Sequence, residues 1–410
     1  MLCYVPPDET CAVLERRFVT LIRNHPAAPT ADVVVIGGGV EGCSIAYQLS
    51  QRGLDVVLLE ARELASAASG ASAGGVRQQG RDPRELPIAM RAIAIWPGLS
   101  EELGADLDYH QNGHLTLVEF ESDLPALDGR VRQQRESGLE IQMLYGDDVR
   151  EVAPGVGEQV IAGAFCPTDG HANPIWTTKA FGAAAQREGA TVLERTPATG
   201  ILTDSGRVTG VETPDGAIAT EWVVNAAGAW SPEICKLAGF EAPIHTRAPQ
   251  MLLTTELPMD LYPVVGCVSK LLSLKQLFNG RYLIGGGWPA SVYQDIDTPL
   301  ARNRHDSITG SASHSSTIWP ALLKTKVLRV WAGLEAETDD VVPILGPVDH
   351  VEGFIMASGF SGHGFALSPY IGVLIADLIA TGETAIPLDE LLLDRFNKPG
   401  AGPRIAPLPT

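Results

Sequence analysis

Hydrophobic order in the chain begins at residue 32. Asp32-Val-Val-Val-Ile36 is a continuous β-branched run, as expected of a strand covered on both faces. Gly37-Gly38-Gly39-Val40-Glu41-Gly42 follows at once. Ile45, Ala46 and Leu49 then recur at helical spacing over 43–52, and Gly53 stands where a helix ends in the left-handed region. Leu54 to Glu60 is the next strand, so 31–60 reads as a βαβ unit. Small residues fill a loop over 63–81. The pattern predicts a helix over 86–103, a strand over 113–118, a charged helix over 123–137 and a helix over 177–189. Strands are predicted over 189–194, 206–212 and 221–225, the last running into a small-residue turn. Residues 245–335 read mostly as strands, with a helical stretch over 305–322. Residues 340–381 read as turn, strand, Gly-rich loop and helix. Upstream, Leu14 to Ile22 predicts a short amphipathic helix ended by Pro26 and Pro29. At the other end, Pro399, Pro403, Pro407 and Pro409 predict a loose tail. No internal repeat is evident.

Composition narrows the class. Apolar residues are 45% of the chain and charged residues 19%, which is globular rather than disordered. At 410 residues the chain can form a large two-domain enzyme. A formal charge of −19 repels nucleic-acid phosphates and anionic membrane surfaces, so neither is an expected partner. Six scattered cysteines with no CxxC argue against a disulfide framework and a zinc site, and predict a reducing, cytoplasmic setting. No secretory leader is visible. The most apolar stretch, Phe365 to Thr381, carries Asp377 and is read as a buried helix rather than a membrane span.

Gly37-x-Gly39-x-x-Gly42 follows a strand, opens a helix, and has an acid, Glu60, at the end of the next strand. That context marks a dinucleotide fingerprint. Gly37 allows the tight turn, Gly39 lets backbone approach a pyrophosphate, and Gly42 lets the helix pack against the strand. The pyrophosphate sits at the helix N-terminus, where free N–H groups and the dipole favour negative charge. Glu60 is placed to hold ribose hydroxyls. No second fingerprint follows, because Gly285-Gly286-Gly287 lacks the third glycine.

The loop Ser69-Gly-Ala-Ser-x-Gly-Gly-Val-Arg77 separates NAD from FAD readings, since an NAD enzyme would begin its second mononucleotide half there. From this point the chain resembles the FAD-dependent oxidoreductases of the D-amino-acid oxidase superfamily, over about 32–396. Ser69, Gly70, Ala71, Ser72, Gly74, Gly75 and Val76 match the family's flavin-cradling loop. Asn225-Ala226-Ala227-Gly228-Ala-Trp230-Ser231 matches its adenine-side turn. Trp331-x-Gly333 with Thr338-x-Asp340-x-x-Pro343-x-x-Gly346 matches its late signature, and Gly359-x-Ser361-Gly362-His363-Gly364 its final, flavin-facing loop. Val40, Glu41, Ala61 and Arg62 complete the cofactor set that the resemblance implies. The helix after Gly364 can aim N–H groups at the flavin pyrimidine, where negative charge develops on reduction.

The resemblance implies an α/β plus antiparallel β architecture of two domains. A Rossmann-like FAD domain is built from 31–106, 152–242 and 336–397. A mostly antiparallel substrate domain is built from 107–151 and 243–335, flanked by an N-terminal extension over 1–30 and a tail over 398–410. The substrate pocket is expected between the antiparallel sheet and the flavin ring. The Arg77-Gln78-Gln79 ending of the cradle and the Trp331-x-Gly333 and Thr338-x-Asp340 block most resemble the sarcosine oxidase β-subunit branch, which includes opine oxidase and proline dehydrogenase β-subunits. It implies oxidation of a C–N bond in a secondary or N-substituted amino acid, by hydride transfer to flavin N5, giving an imine that hydrolyses. D-amino-acid oxidation and an FAD-retaining subunit or assembly factor without turnover are the alternatives. Flavin monooxygenation is disfavoured, because Gly359-Phe360 stands where those enzymes carry Gly-Asp.

Glycine oxidase and D-amino-acid oxidase place a carboxylate-clamping Arg shortly after the late Gly. This chain has Gly333-Leu334-Glu335 there, so a substrate carboxylate needs another cation: Arg77, Lys270, Lys275 or Arg302. Arg77, Lys270 and Trp331 are the candidate substrate residues. Lys275 resembles the strand lysine that acts on oxygen in monomeric sarcosine oxidase. His363 is read either as a group beside the flavin ring or as a satisfied loop histidine, and His171 as structural. With no Cys after Cys267 and no His over 61–81, the FAD is expected to be non-covalent. The branch also implies a partner subunit or a separate electron acceptor.

Overall fold

A computed structural model describes residues 29–294 and 299–397. The amphipathic helix expected at 14–22 and the tail after 397 lie outside the described residues. Six strands form one sheet in the order Ile344–Pro347, Phe354–Ser358, Trp222–Asn225, Val33–Ile36, Val56–Glu60, Thr191–Glu194. All neighbours are parallel except the first pair. The register sets Val35 beside Leu58 and Val224. Successive residues of a strand point to opposite faces. Val33, Val35, Val56 and Leu58 accordingly join a core with the helices Val40–Gln51, Leu86–Leu103, Pro174–Arg187 and Gly364–Thr381. Val34, Ile36, Val57 and Leu59 face the other way, onto the meander Gly200–Asp204, Arg207–Thr213, Gly216–Ala219. A strand buried on both faces has no polar alternation, which explains the unbroken Val run.

Gly364–Thr381 is long and apolar enough to cross a membrane by composition. It is instead a core helix, packed against Val40–Gln51 and Leu86–Leu103, with Phe365, Leu367, Ile371, Leu374 and Ile375 buried. Trp96, fully buried, donates from Nε1 to the Ala366 carbonyl at 2.9 Å. The helix expected from 177 starts earlier, at Pro174. Asn173 Oδ1 accepts from the N–H groups of Ile175 and Trp176, and Pro174 needs no N–H acceptor at the first helical position.

The second sheet has eight strands, ordered Val327–Ala332, Gln250–Glu256, Arg281–Gly285, Ser273–Gln276, Val264–Cys267, His114–Val118, Ala162–Cys166, Gln142–Tyr145. Its pairs are antiparallel except Val264–Cys267 with His114–Val118. Helix His305–Ile318 and the buried Trp319 cover part of it. One expected boundary shifts. The sequence places residues from 152 in the cofactor domain, but Ala162–Cys166 pairs with His114–Val118 inside the eight-stranded sheet. Its small residues suit that position, since a Cβ on Gly163 would stand 3.0 Å from Leu115. The chain rejoins the cofactor domain near Gly170. The loop over 63–81 also carries more order than expected, with a short helix Ala68–Ala71 and a strand Gly75–Val76 paired to Gly170–His171.

Candidate active site

The fingerprint is held by contacts that only glycine permits. Gly37 has φ +114°, and a Cβ there would stand 2.4 Å from the Ala226 carbonyl oxygen. A Cβ on Gly42 would stand 1.9 Å from the Gly37 carbonyl oxygen. The turn after Val33–Ile36 therefore closes onto Ala226 and Ala227. The first N–H groups of a helix have no intrahelical acceptor. Ser69 Oγ accepts from Val40 N–H at 2.9 Å, which leaves the N–H groups of Glu41 and Gly42 for a ligand. Gly39, beside Ser69, keeps that approach open. Glu60 braces the same turn: Oε2 accepts from Gly38 N–H and Oε1 from Arg62 N–H, each at 2.7 Å. Burial holds its carboxyl above the usual range despite those donors. Each oxygen keeps a further lone pair for a ribose hydroxyl. Arg62 lies over the Trp230 ring at 4.6 Å, which places Ala61 and Arg62 against the turn after Gly228.

The cradle meets the late signature directly. A Cβ on Gly333 would stand 2.4 Å from Ala71 Cβ, and Trp331 Nε1 donates to the Ala71 carbonyl at 3.0 Å. Gly70 packs onto the Ala65 carbonyl and Gly74, at φ +69°, onto the Ala172 carbonyl. Ser72 Oγ accepts from Gly74 N–H, and Gly75–Val76 then leads to Arg77. The final loop, Gly359 to Gly364, runs through left-handed residues at Gly359, Ser361 and Gly362. It is pinned by Ser361 N–H to the Ala336 carbonyl. Gly364 starts the last helix against Glu41, so the two helix N-termini converge.

On the side of the eight-stranded sheet the cradle carries charge. Arg77 makes no hydrogen bond or ion pair through its side chain among the described residues. Burial and the neighbouring Arg81 push its guanidinium down to about 9, which leaves it charged at neutral pH. Asp169, fully buried, accepts from the N–H groups of Gln78 and Gln79. Burial pushes its carboxyl up to about 6. Gln79 Oε1 meets His114 Nδ1 at 2.7 Å and accepts from Thr116. His363 Nδ1 lies 3.1 Å from Glu85 Oε2, and Arg81 Nε lies 3.4 Å from Glu85 Oε1. Burial, then Arg81, keeps His363 below the ordinary histidine range, so it is neutral at pH 7. Its Nδ1 is committed to the Glu85 carboxylate, and the loop histidine is a positioned group. Lys275 is 4% exposed, with no hydrogen bond or ion pair among the described residues, and burial lowers it to about 7. His171, buried and within electrostatic reach of Lys275, has an unpartnered Nε2.

Two candidate cations are committed elsewhere. Lys270 is paired with Glu119, at the opposite end of strand His114–Val118 from the Gln79–His114 contact. Arg302 lies over Tyr293 in the hairpin Ser291–Gln294, Pro299–Arg302. Neither joins the cradle, and Lys270 is corrected as a substrate residue. Its partner is 151 residues away in sequence, so no local pattern could reveal the pair. Glu335 is an ion-pair partner too: Arg247 bridges it and Glu337, each at 3.5 Å, beside Gly362. Sequence reasoning missed Glu85, Arg81, Gln79, His114 and Asp169. Asp169 stood next to Gly170-His171 and could have been found from that turn. Gln79 closes the Arg77-Gln78-Gln79 ending of the cradle without having been read as a site residue, and Glu85, Arg81 and His114 carry no motif.

The comparisons with known proteins agree with this geometry. Residues 32–378 match the family described as DAO, FAD dependent oxidoreductase. The chain belongs to that family. The oxidoreductase is 28% identical to hydrogen cyanide synthase subunit HcnC of Pseudomonas aeruginosa, over 92% of this chain and 99% of that one. It is 28% identical to sarcosine oxidase subunit beta of an Arthrobacter species, over 89% and 91%. Among solved structures, L-proline dehydrogenase from P. horikoshii superposes with a TM-score of 0.84 at 30% identity, over 90% of this chain and 99% of the other. FAD is the cofactor, and the Gly-lined turn, the free helix N–H groups and the buried Glu41 carboxyl all fit a dinucleotide there.

Proposed function

We propose that this oxidoreductase oxidises the C–N bond of a secondary or N-substituted amino acid, of sarcosine, proline or opine type. The observation that carries the reading is the Arg77 guanidinium at the end of the cradle, unpaired among the described residues and within electrostatic reach of the neutral His363. Arg77 anchors the substrate carboxylate through charge-assisted, fork-shaped hydrogen bonds. Bound FAD supplies the acceptor for the hydride leaving the carbon beside nitrogen. The chain's own residues position that carbon and keep the amine neutral. Lys275, lowered to about 7, titrates in the range where it can exchange a proton with a neighbouring group. The imine then hydrolyses in water. Glu335, at the place of a carboxylate clamp in glycine oxidase, is occupied with Arg247 and offers a substrate carboxylate nothing.

The names of relatives that are subunits support a partner chain or a separate electron acceptor for the reoxidation half. The testing experiment is anaerobic titration of the yellow protein with sarcosine, proline, N-methyl amino acids, opines and D-amino acids, following loss of oxidised flavin absorbance. Bleaching by secondary amino acids is expected. Bleaching by primary D-amino acids alone would overturn the substrate class. No bleaching, with flavin retained, would point to a subunit without turnover of its own.

A further inference from the structure

We propose that Glu41 holds FAD as a neutral carboxylic acid, donating a hydrogen bond to the ribityl–pyrophosphate run, so that retention of the cofactor depends on pH. The inference is independent of which amine is oxidised. Glu41 is the second variable residue between Gly39 and Gly42, in the first turn of helix Val40–Gln51. It is 7% exposed, and neither carboxyl oxygen has a hydrogen-bond partner among the described residues. Oε1 lies 2.5 Å from where a Cβ on Gly364 would stand, so the group occupies the space between two helix N-termini.

An ionised acid in a first helical turn ordinarily draws on the N–H groups there. At this helix the same N–H groups are what a pyrophosphate needs. A carboxylate would compete with the cofactor and repel it. A protonated carboxyl does neither, and its O–H can donate to a ligand rich in acceptors. Among the described residues no surrounding group is bonded to it as a countercharge. Of the titratable groups on the elements packed around it, His363 is bound to Glu85, Asp377 to Arg52, Arg187 to the Leu103 carbonyl and Glu60 to the Gly38 and Arg62 N–H groups, Lys179 lies toward Glu63, and the Tyr47 and Tyr370 phenols are raised and uncharged. None is bonded to Glu41, and its upward displacement has burial as its sole cause.

The sign follows. An anionic ligand raises the carboxyl further, so binding takes up a proton between the free and bound values, and affinity falls as pH rises through the free value. The fall approaches about tenfold per pH unit. Apoprotein is titrated with FAD from about pH 6 to about pH 9, with flavin fluorescence as the readout and the slope compared with that limit. The wild-type Kd is expected to rise with pH within that range, and that of E41Q, which keeps a donor and cannot ionise, to stay within about twofold. Calorimetry in buffers of different ionisation enthalpy should show proton uptake on FAD binding by the wild type and none by E41Q. Parallel pH profiles for the two proteins would overturn the proposal. So would FAD binding by the wild type without proton uptake at any pH from about 6 to about 9, a result that needs no variant to fold.

Discussion

Replacing Lys275 by Met should stabilise the protein, and most strongly in acid. Lys275 is buried on strand Ser273–Gln276 without a bonded partner among the described residues, and burial lowers its pKa from 10.5 to about 7. The unfolded chain therefore holds this proton more tightly than the folded one. Stability rises with pH between the two values, and the full penalty is present below about 7. A gap of about 3.5 units corresponds to about 5 kcal/mol. Relaxation and water entering beside the ammonium reduce that to about 2–3 kcal/mol. By about pH 10 less than about 1 kcal/mol remains, because the unfolded lysine is then losing its proton as well. Methionine keeps the apolar stem and removes the charge. The assay is urea unfolding of FAD-saturated wild type and K275M at both ends of this range. The K275M midpoint should lie well above wild type in acid and converge with it in base. A K275M midpoint equal to or below wild type in acid, or a gap that widens with pH, would refute the reasoning.

Arg77→Gln should leave FAD bound and weaken substrate binding about 30-fold, the loss of about 2 kcal/mol expected when a charge-assisted pair is removed. Anaerobic titration measures it, and unchanged affinity would move the carboxylate anchor elsewhere. Gly42→Ala forces a Cβ to 1.9 Å from the Gly37 carbonyl oxygen, so this protein should purify colourless. Retained flavin absorbance would contradict the close approach. Acid precipitation of the wild type should leave a white pellet and a yellow supernatant. Cys43, Cys166, Cys235 and Cys267 are free and buried, and the late-signature residue against the cradle is the side-chain-less Gly333. A yellow pellet would mean a covalent flavin link.

The parts of the fold that were legible are those whose partners are local. Val33 to Glu60 is a strand, turn, helix and strand in unbroken succession, and its periodicity and glycine spacing are complete in thirty residues. The last helix was legible because it is apolar on every side. Gln142–Tyr145 and Ala162–Cys166 were not. They are short, and their identity as strands comes from pairing with each other and with His114–Val118. The same distinction divides the site. Gly37, Gly42, Gly70 and Gly74 could be read because backbone geometry demands glycine there. The Glu85–His363 contact joins residues 278 apart, and no motif records that His363 would meet a buried acid rather than solvent.

The strand order of the six-stranded sheet also fixes a timetable. Val33–Ile36 leaves the ribosome early, but it lies between Val56–Glu60 and Trp222–Asn225, and the latter lies beside Phe354–Ser358. A nascent chain thus displays a Val-rich edge that waits until Trp222–Asn225, just past the middle of the chain, has been made. Such an edge invites wrong pairings, and it is the surface a chaperone has reason to cover. The flavin site is also finished late, since Glu41 meets Gly364 only when the last helix has been made. Colour, in this protein, is a late event in its life, and a truncated product would be both pale and sticky.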